Sequence, residues 1–421
     1  MVAQRKSIFD NLKKSEAYII TAYSILVLFF ATRMQDGPLV AISLLFSFLG
    51  FFRHRGMALG AIIISGPFVS LLSTGFYYTL AFVPFLLSSF IDVFKRKKRS
   101  KLFGVYLLCL SIVLISFAFG YKPDGVTLAL QIICMTIFFT ISESFTSKDV
   151  PIVIFSYICS AVLVCLFLYA GGLESMTGRL TFGENVKTMA FLCAIPMSFL
   201  LFSFIGKVYL FENLKKRYIV KIIDGALLLL FLLVTFMTLA RGLMLALVLG
   251  VILLALLSPK SIKSSIVLVL VAALTLVAYI YIESLGLFRT ERLFEYEEFE
   301  TGNGRTEIWI DHLNKISSLG EQYIILGTGP GNIARISSSD AYAHSMIFDY
   351  YFSYGVIGFL VFILIEFLVL RRLYIKTNII PFVIVVTFLI AYATHGGAAN
   401  PPFFILQALM LASINNNLLK R

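Results

Sequence analysis

The chain has 421 residues, of which 59% are hydrophobic and only 14% charged. A soluble protein of this length has too little polar surface to cover so much apolar side chain, so the composition excludes a soluble globular domain and reads as a polytopic membrane protein. The net charge of +12 does not imply nucleic acid, because basic residues of membrane proteins collect in cytoplasmic loops.

In chain order, about 14 apolar segments are long enough to be membrane helices. They are 17–33, 37–52, 57–73, 75–94, 102–120, 124–143, 150–170, 188–206, 222–240, 242–258, 265–285, 345–370, 379–394 and 401–416. The expected fold is all-α, a single membrane domain over 1–421 with one large loop at 286–343. With a cytoplasmic N-terminus, Arg53 and Arg55, the run Lys95 to Lys101, Lys215–Arg217, Lys260, Lys263, Arg371 and Arg372 all fall inside. That places about 25 of the Lys and Arg residues inside and about 10 outside, half of the latter in the large loop. Both termini are therefore expected in the cytoplasm, and the loop outside, which in a bacterium is the periplasm. The first apolar run is long enough to remain as a helix, not a cleaved signal. The five cysteines (Cys109, Cys134, Cys159, Cys165, Cys193) lie in apolar runs, as small buried hydrophobes without metal-type spacing.

Four features face the outside. Gly178-Arg179-Leu180-Thr181-Phe182-Gly183 is a short loop in which glycine permits close approach and arginine grips phosphate oxygens. Arg241, in Ala240-Arg241-Gly242, lies near the outer surface between two helices; an arginine there either snorkels to headgroups or lines a wet cavity. Arg305 follows Gly302-Asn303-Gly304 and opens the segment 306–318. Ile308, Trp309, Leu313 and Ile316 share one face there, predicting a short amphipathic helix on the membrane surface. His344 precedes the twelfth segment. An imidazole can accept a hydroxyl proton, with Ser345 and Asp349 as secondary candidates beside it; a lone surface histidine is otherwise structural.

Gly327-Thr328-Gly329-Pro330-Gly331 lacks the Lys-Ser/Thr of a nucleotide loop and reads as a tight turn. His395 and Arg289 are weaker candidates. The acidic run Glu291 to Glu300 reads as a solvated face rather than a catalytic carboxylate pair. Asp224 and Glu366 lie in apolar segments as snorkelling or structural residues. Three arginines and a histidine on one side suit transfer of a group from a diphosphate-linked donor to a hydroxyl, with no metal required.

The order of these motifs resembles the bacterial O-antigen polymerase and O-antigen ligase superfamily. It comprises the loop arginine, the Ala-Arg-Gly step, Gly-Asn-Gly-Arg-Thr-Glu-Ile-Trp, Leu-Gly-Thr-Gly-Pro-Gly and then Ala-His-Ser. His344-Ser345, followed after nine residues by Gly355 and then by Gly358, is similar to the family's histidine motif. The resemblance covers about 178–360. It implies a GT-C-like membrane glycosyltransferase in the bacterial inner membrane, with short amphipathic helices in its periplasmic loop. It further implies that Arg179, Arg241 and Arg305 hold a lipid diphosphate and that His344 is catalytic. The expected substrates are undecaprenyl-diphosphate-linked oligosaccharides, and a chain-length regulator and a flippase are expected partners. A polymerase is the favoured expectation, with a ligase transferring glycan to lipid A-core as the alternative. A lipid-linked oligosaccharide flippase or transporter is the second alternative.

Overall fold

A computed structural model describes residues 12–72, 75–95, 101–121, 123–171, 175–176, 179–180, 186–206, 217–238, 240–257, 280, 284, 305–331, 343–376, 379–395 and 400–415. The described chain is helical apart from a small antiparallel ladder of β1 (Ser175–Met176) and β2 (Arg179–Leu180), in which Met176 faces Arg179. The first ten helices are α1 (Lys14–Thr32), α2 (Asp36–Ser47, continued by a 3-10 turn), α3 (Arg55–Leu72), α4 (Gly75–Lys95), α5 (Lys101–Phe119), α6 (Gly125–Ser144), α7 (Asp149–Gly171), α8 (Val186–Gly206), α9 (Arg217–Met237) and α10 (Arg241–Leu257). Then come α11 (Arg305–Leu319), α12 (Glu321–Leu326), α13 (Met346–Lys376), α14 (Ile379–His395) and α15 (Pro401–Asn415).

Every predicted apolar segment except 265–285 coincides with one of these helices, and 265–285 lies almost wholly outside the described residues. Among the described residues, five helices are long and apolar enough to cross a bilayer by themselves: α1, α5, α6, α7 and α13. Several others are shorter apolar helices. This is the make-up of a multi-pass membrane protein.

Helices pack through apolar faces with small residues at the contacts. Gly60 of α3 faces Ser156 of α7, and Gly250 of α10 faces Thr387 of α14, both closely enough to leave no room for a Cβ. Close backbone approach of this kind replaces the hydrophobic drive that lipid does not supply. At the end of the bundle away from α11, the buried Arg55 pairs with Asp92 and donates to the Ser144 carbonyl at 2.6 Å. The Asp149 carboxylate there accepts from the Gly56 amide at 3.0 Å. Asp224 and Glu366, expected to snorkel or to be structural, are buried, 3% and 5% exposed. Glu366 does not reach water but accepts from Gln407 Nε2 at 2.6 Å.

Helix α13 organises the end of the bundle that carries α11. Its 31 residues run roughly 46 Å at 1.5 Å per residue, longer than a hydrocarbon core of about 30 Å. It is broken at Gly355, where φ is +64°. The break withdraws the helical amides that the Phe352 and Ser353 carbonyls would otherwise accept. They accept instead from the amides of Thr328 and Gly329, at 2.9 and 3.0 Å. The Thr328 hydroxyl adds a 3.1 Å bond to Phe352 O. The glycine-rich turn is thus spliced into a helix as a backbone partner. Gly327, Gly329 and Gly331 all have positive φ, which residues with a Cβ adopt only at a cost.

The α5–α6 connection is tied to the same turn. Tyr121 N donates to Thr328 O at 2.8 Å, Asp124 N to Pro330 O at 3.0 Å, and Ser116 Oγ to Leu326 O at 2.7 Å. This places 121–125 and 327–331 on one side of the bundle.

Candidate functional site

Helix α11 begins at Arg305, and its inner face is set by Trp309, His312 and Ile316. The segment 306–318 is a helix as predicted, and of the four residues placed on one face Trp309 and Ile316 pack against α13. Leu313, placed on that face too, is 38% exposed, and His312, one residue earlier, is buried. The cause is the surface it meets, which is aromatic. Trp309 stacks on Phe348 with ring centres 4.3 Å apart, and His312 lies 5.0 Å from Phe352. Phe348 and Phe352 are one turn apart on α13 and stack on each other at 5.7 Å. The flat imidazole packs against that column as a ring beside rings. Nothing in the hydrophobic pattern marks His312, and only the fourfold spacing of Phe348 and Phe352 hinted at a ring-accepting face.

The indole Nε1 of Trp309 donates to the Ala343 carbonyl at 2.8 Å. Ala343 immediately precedes His344, so the helix opened by Arg305 is fastened to the approach of the histidine. Arg305 lies one turn before Trp309, on the same side of α11. Its guanidinium is half-buried, and desolvation lowers its pKa from the ordinary value. Arginine nevertheless stays charged throughout the physiological range. A cation at the first residue of a helix is also disfavoured by the macrodipole. An anion arriving there would relieve both costs.

His344 is exposed and has φ of +52°. That left-handed conformation costs a residue with a side chain about 1–2 kcal/mol. It is held from both sides. Trp309 fixes the preceding peptide. After His344, Ser345 is buried, its carbonyl accepts from Asp349 N at 2.9 Å, and its hydroxyl faces Phe348 N at 3.4 Å. The indole hydrogen bond, about 1 kcal/mol net, and the ring stacking, about 0.5–1.5 kcal/mol, are together of the size needed. Ser345 therefore serves as the helix cap, and Asp349 sits half-buried in the first turn of α13.

The other candidates are placed by backbone only. Arg179 lies in β2, which packs on α9. Arg241 is the first residue of α10, after Thr238 and Ala240 have closed the last turn of α9 and capped α10. His395 is the last residue of α14, a helix that packs on both α10 and α13. The side chains of Arg179, Arg241 and His395 lie outside the described residues, as do Arg289 and the run Glu291 to Glu300. The structure therefore places His344, Ser345 and Asp349 at the start of α13 and ties them, through the Trp309–Ala343 bond, to the helix that Arg305 opens. Arg241 and His395 stand on helices α10 and α14, which pack on one another, and α14 also packs on α13.

Below this cluster lies a cavity of about 60 Å³ between α5, α6, α13 and α15. Tyr350 and Tyr354 line it near the top, Cys109 and Met135 at the sides, and Glu366 and Gln407 at the bottom. Its walls are almost wholly apolar. The five cysteines are free thiols, Cys134 and Cys193 buried.

Residues 226–363, about a third of the chain, match the family described as O-antigen ligase. The matched segment runs from within α9 to just beyond the kink of α13, and so contains Arg241, Arg305, Trp309 and His344. No curated protein matches the chain.

Proposed function

We propose, from the O-antigen ligase domain at 226–363 and its consistency with the O-antigen polymerase and ligase superfamily, that the chain is an O-antigen polymerase. It would be a glycosyltransferase that moves the growing glycan from undecaprenyl diphosphate onto a new undecaprenyl-diphosphate-linked repeat unit. The observation that carries this proposal is the Trp309 tie, which fastens the helix headed by Arg305 to the peptide before an exposed, strained His344. Strained residues at exposed, over-determined positions are where function is expected.

In this scheme His344 takes the proton of the acceptor hydroxyl. The freed oxygen bonds to the anomeric carbon of the donor glycan as the bond from that carbon to the diphosphate oxygen breaks. The diphosphate leaves with the electron pair, and Arg179, Arg241 and Arg305 neutralise it. No metal is required. The apolar slot below the site supports a lipid-borne donor, because its apolar walls include the helix that His344 precedes. The proposal includes a GT-C-like fold of about 14 spans in the inner membrane. Both termini would be cytoplasmic, the site periplasmic, and a flippase and chain-length regulator would be partners.

The description of the matching family favours a second assignment, ligation of the glycan to lipid A-core. One experiment separates them. His344→Ala is assayed on purified lipid-linked repeat units, and the lipopolysaccharide of a deletion strain is displayed by electrophoresis. A polymerase gives no elongation in the variant, and core bearing a single unit in the deletion. Bare core with accumulated lipid-linked polymer means a ligase. Undiminished long glycan from the variant removes His344 from the chemistry.

A further inference from the structure

We infer that Trp309 is a positioning residue that sets the backbone conformation of His344 through its indole N–H; this rests on the proposed role of His344. The torsion φ of His344 is the rotation between its own Cα and the peptide that joins it to Ala343. The orientation of that peptide is fixed by one side-chain bond, Trp309 Nε1 to Ala343 O at 2.8 Å. On the other side, Ser345 is locked into the first turn of α13 by Asp349 N and Phe348 N. With both neighbouring peptides anchored, the +52° φ is imposed rather than chosen. The indole cannot shift, because its ring is stacked on Phe348 at 4.3 Å and 24°. Phe348 lies in the same turn of α13 that Ser345 caps. The donor on α11, the acceptor before the histidine and the stacking ring on α13 form a closed triangle around His344. Arg305, one turn from Trp309 on the same helix, is carried by the same strut. The distance between base and diphosphate-binding arginine thus depends on it.

Ala343 is 0% exposed, so water does not readily replace the indole donor. Loss of the N–H alone should therefore let the 343–344 peptide rotate and the imidazole leave its aim, while the ring packing stays. Misplacement of a catalytic group by about 1 Å can cost on the order of 100-fold in rate.

The test replaces Trp309 with 3-benzothienylalanine, which has the same shape and no N–H, and separately with Phe, in the full chain in detergent or nanodiscs. Two quantities are read: kcat and KM on lipid-linked repeat units, and the rate at which diethyl pyrocarbonate modifies His344, followed by mass spectrometry. The expected result for the isostere is a kcat lower by roughly 10- to 100-fold, KM within about twofold, an unchanged melting temperature and a changed His344 modification rate. An unchanged modification rate overturns the inference, whatever kcat does. A changed modification rate with wild-type kcat upholds the conformational control but removes His344 from the reaction. The two failures are thereby told apart.

Discussion

The splice between the glycine-rich turn and α13 makes Gly355→Ala the sharpest test of the fold around the site. At φ +64° a Cβ costs about 1–2 kcal/mol through left-handed strain alone. A Cβ at this position would also overlap the Ile325 carbonyl and approach Gly327 N to 2.6 Å. Both are backbone atoms, so the turn must retreat. That retreat strains or breaks the Thr328 N to Phe352 O and Gly329 N to Ser353 O bonds, each worth about 1 kcal/mol net. Together these give a destabilisation of roughly 3–5 kcal/mol. Gly225→Ala is the control. Gly225 lies inside α9, and a Cβ there would meet nothing within 4 Å, so the change should be neutral or stabilising by up to about 1 kcal/mol. The assay is reversible unfolding in mixed micelles, with thermal midpoints as a cross-check. Amide exchange at Thr328 and Gly329 is read in parallel. If Gly355→Ala lies within about 1 kcal/mol of wild type and leaves those amides protected, the splice is not what holds α12 to α13.

Other outcomes follow from the same structure. Arg305→Gln should abolish transfer while leaving the lipid-linked acceptor bound, and Arg305→Lys should restore only part of it, because lysine lacks the two-pronged donor set; equal activity of all three proteins would remove Arg305 from the site. Burial lowers the Arg305 pKa, so its charged form is disfavoured in the fold and its desolvation cost is present at every pH below its folded pKa. That cost is relieved only as pH rises through the folded value, which for arginine lies far above neutrality. The wild-type pH profile of activity between about 6 and 9 should therefore carry no limb from Arg305. Gln407→Leu removes the donor to Glu366 at the bottom of the slot and should destabilise by about 1–3 kcal/mol in the same micelle assay. Gln407→Glu, which sets two carboxyls together, should cost more.

The sequence alone determined the helices. Their apolar runs reach or approach the thickness of a bilayer, and in lipid a backbone must satisfy its own hydrogen bonds, so length and composition point to helices. Arg305 at the head of a helix and His344 before one were also legible, because glycine punctuation and the end of an apolar run are local signals. Tertiary structure decided what those signals could not. The inward turn of His312 over Leu313 depended on the aromatic column of α13, about 40 residues away. The role of Gly327, Gly329 and Gly355 depended on carbonyls freed by a kink meeting amides from a distant turn. Trp309 looked like an interfacial aromatic until its N–H was seen to end on Ala343. Each of these is a non-local contact, in which the geometry of one segment is set by the hydrogen-bonding needs of another, and no periodicity within either segment encodes it.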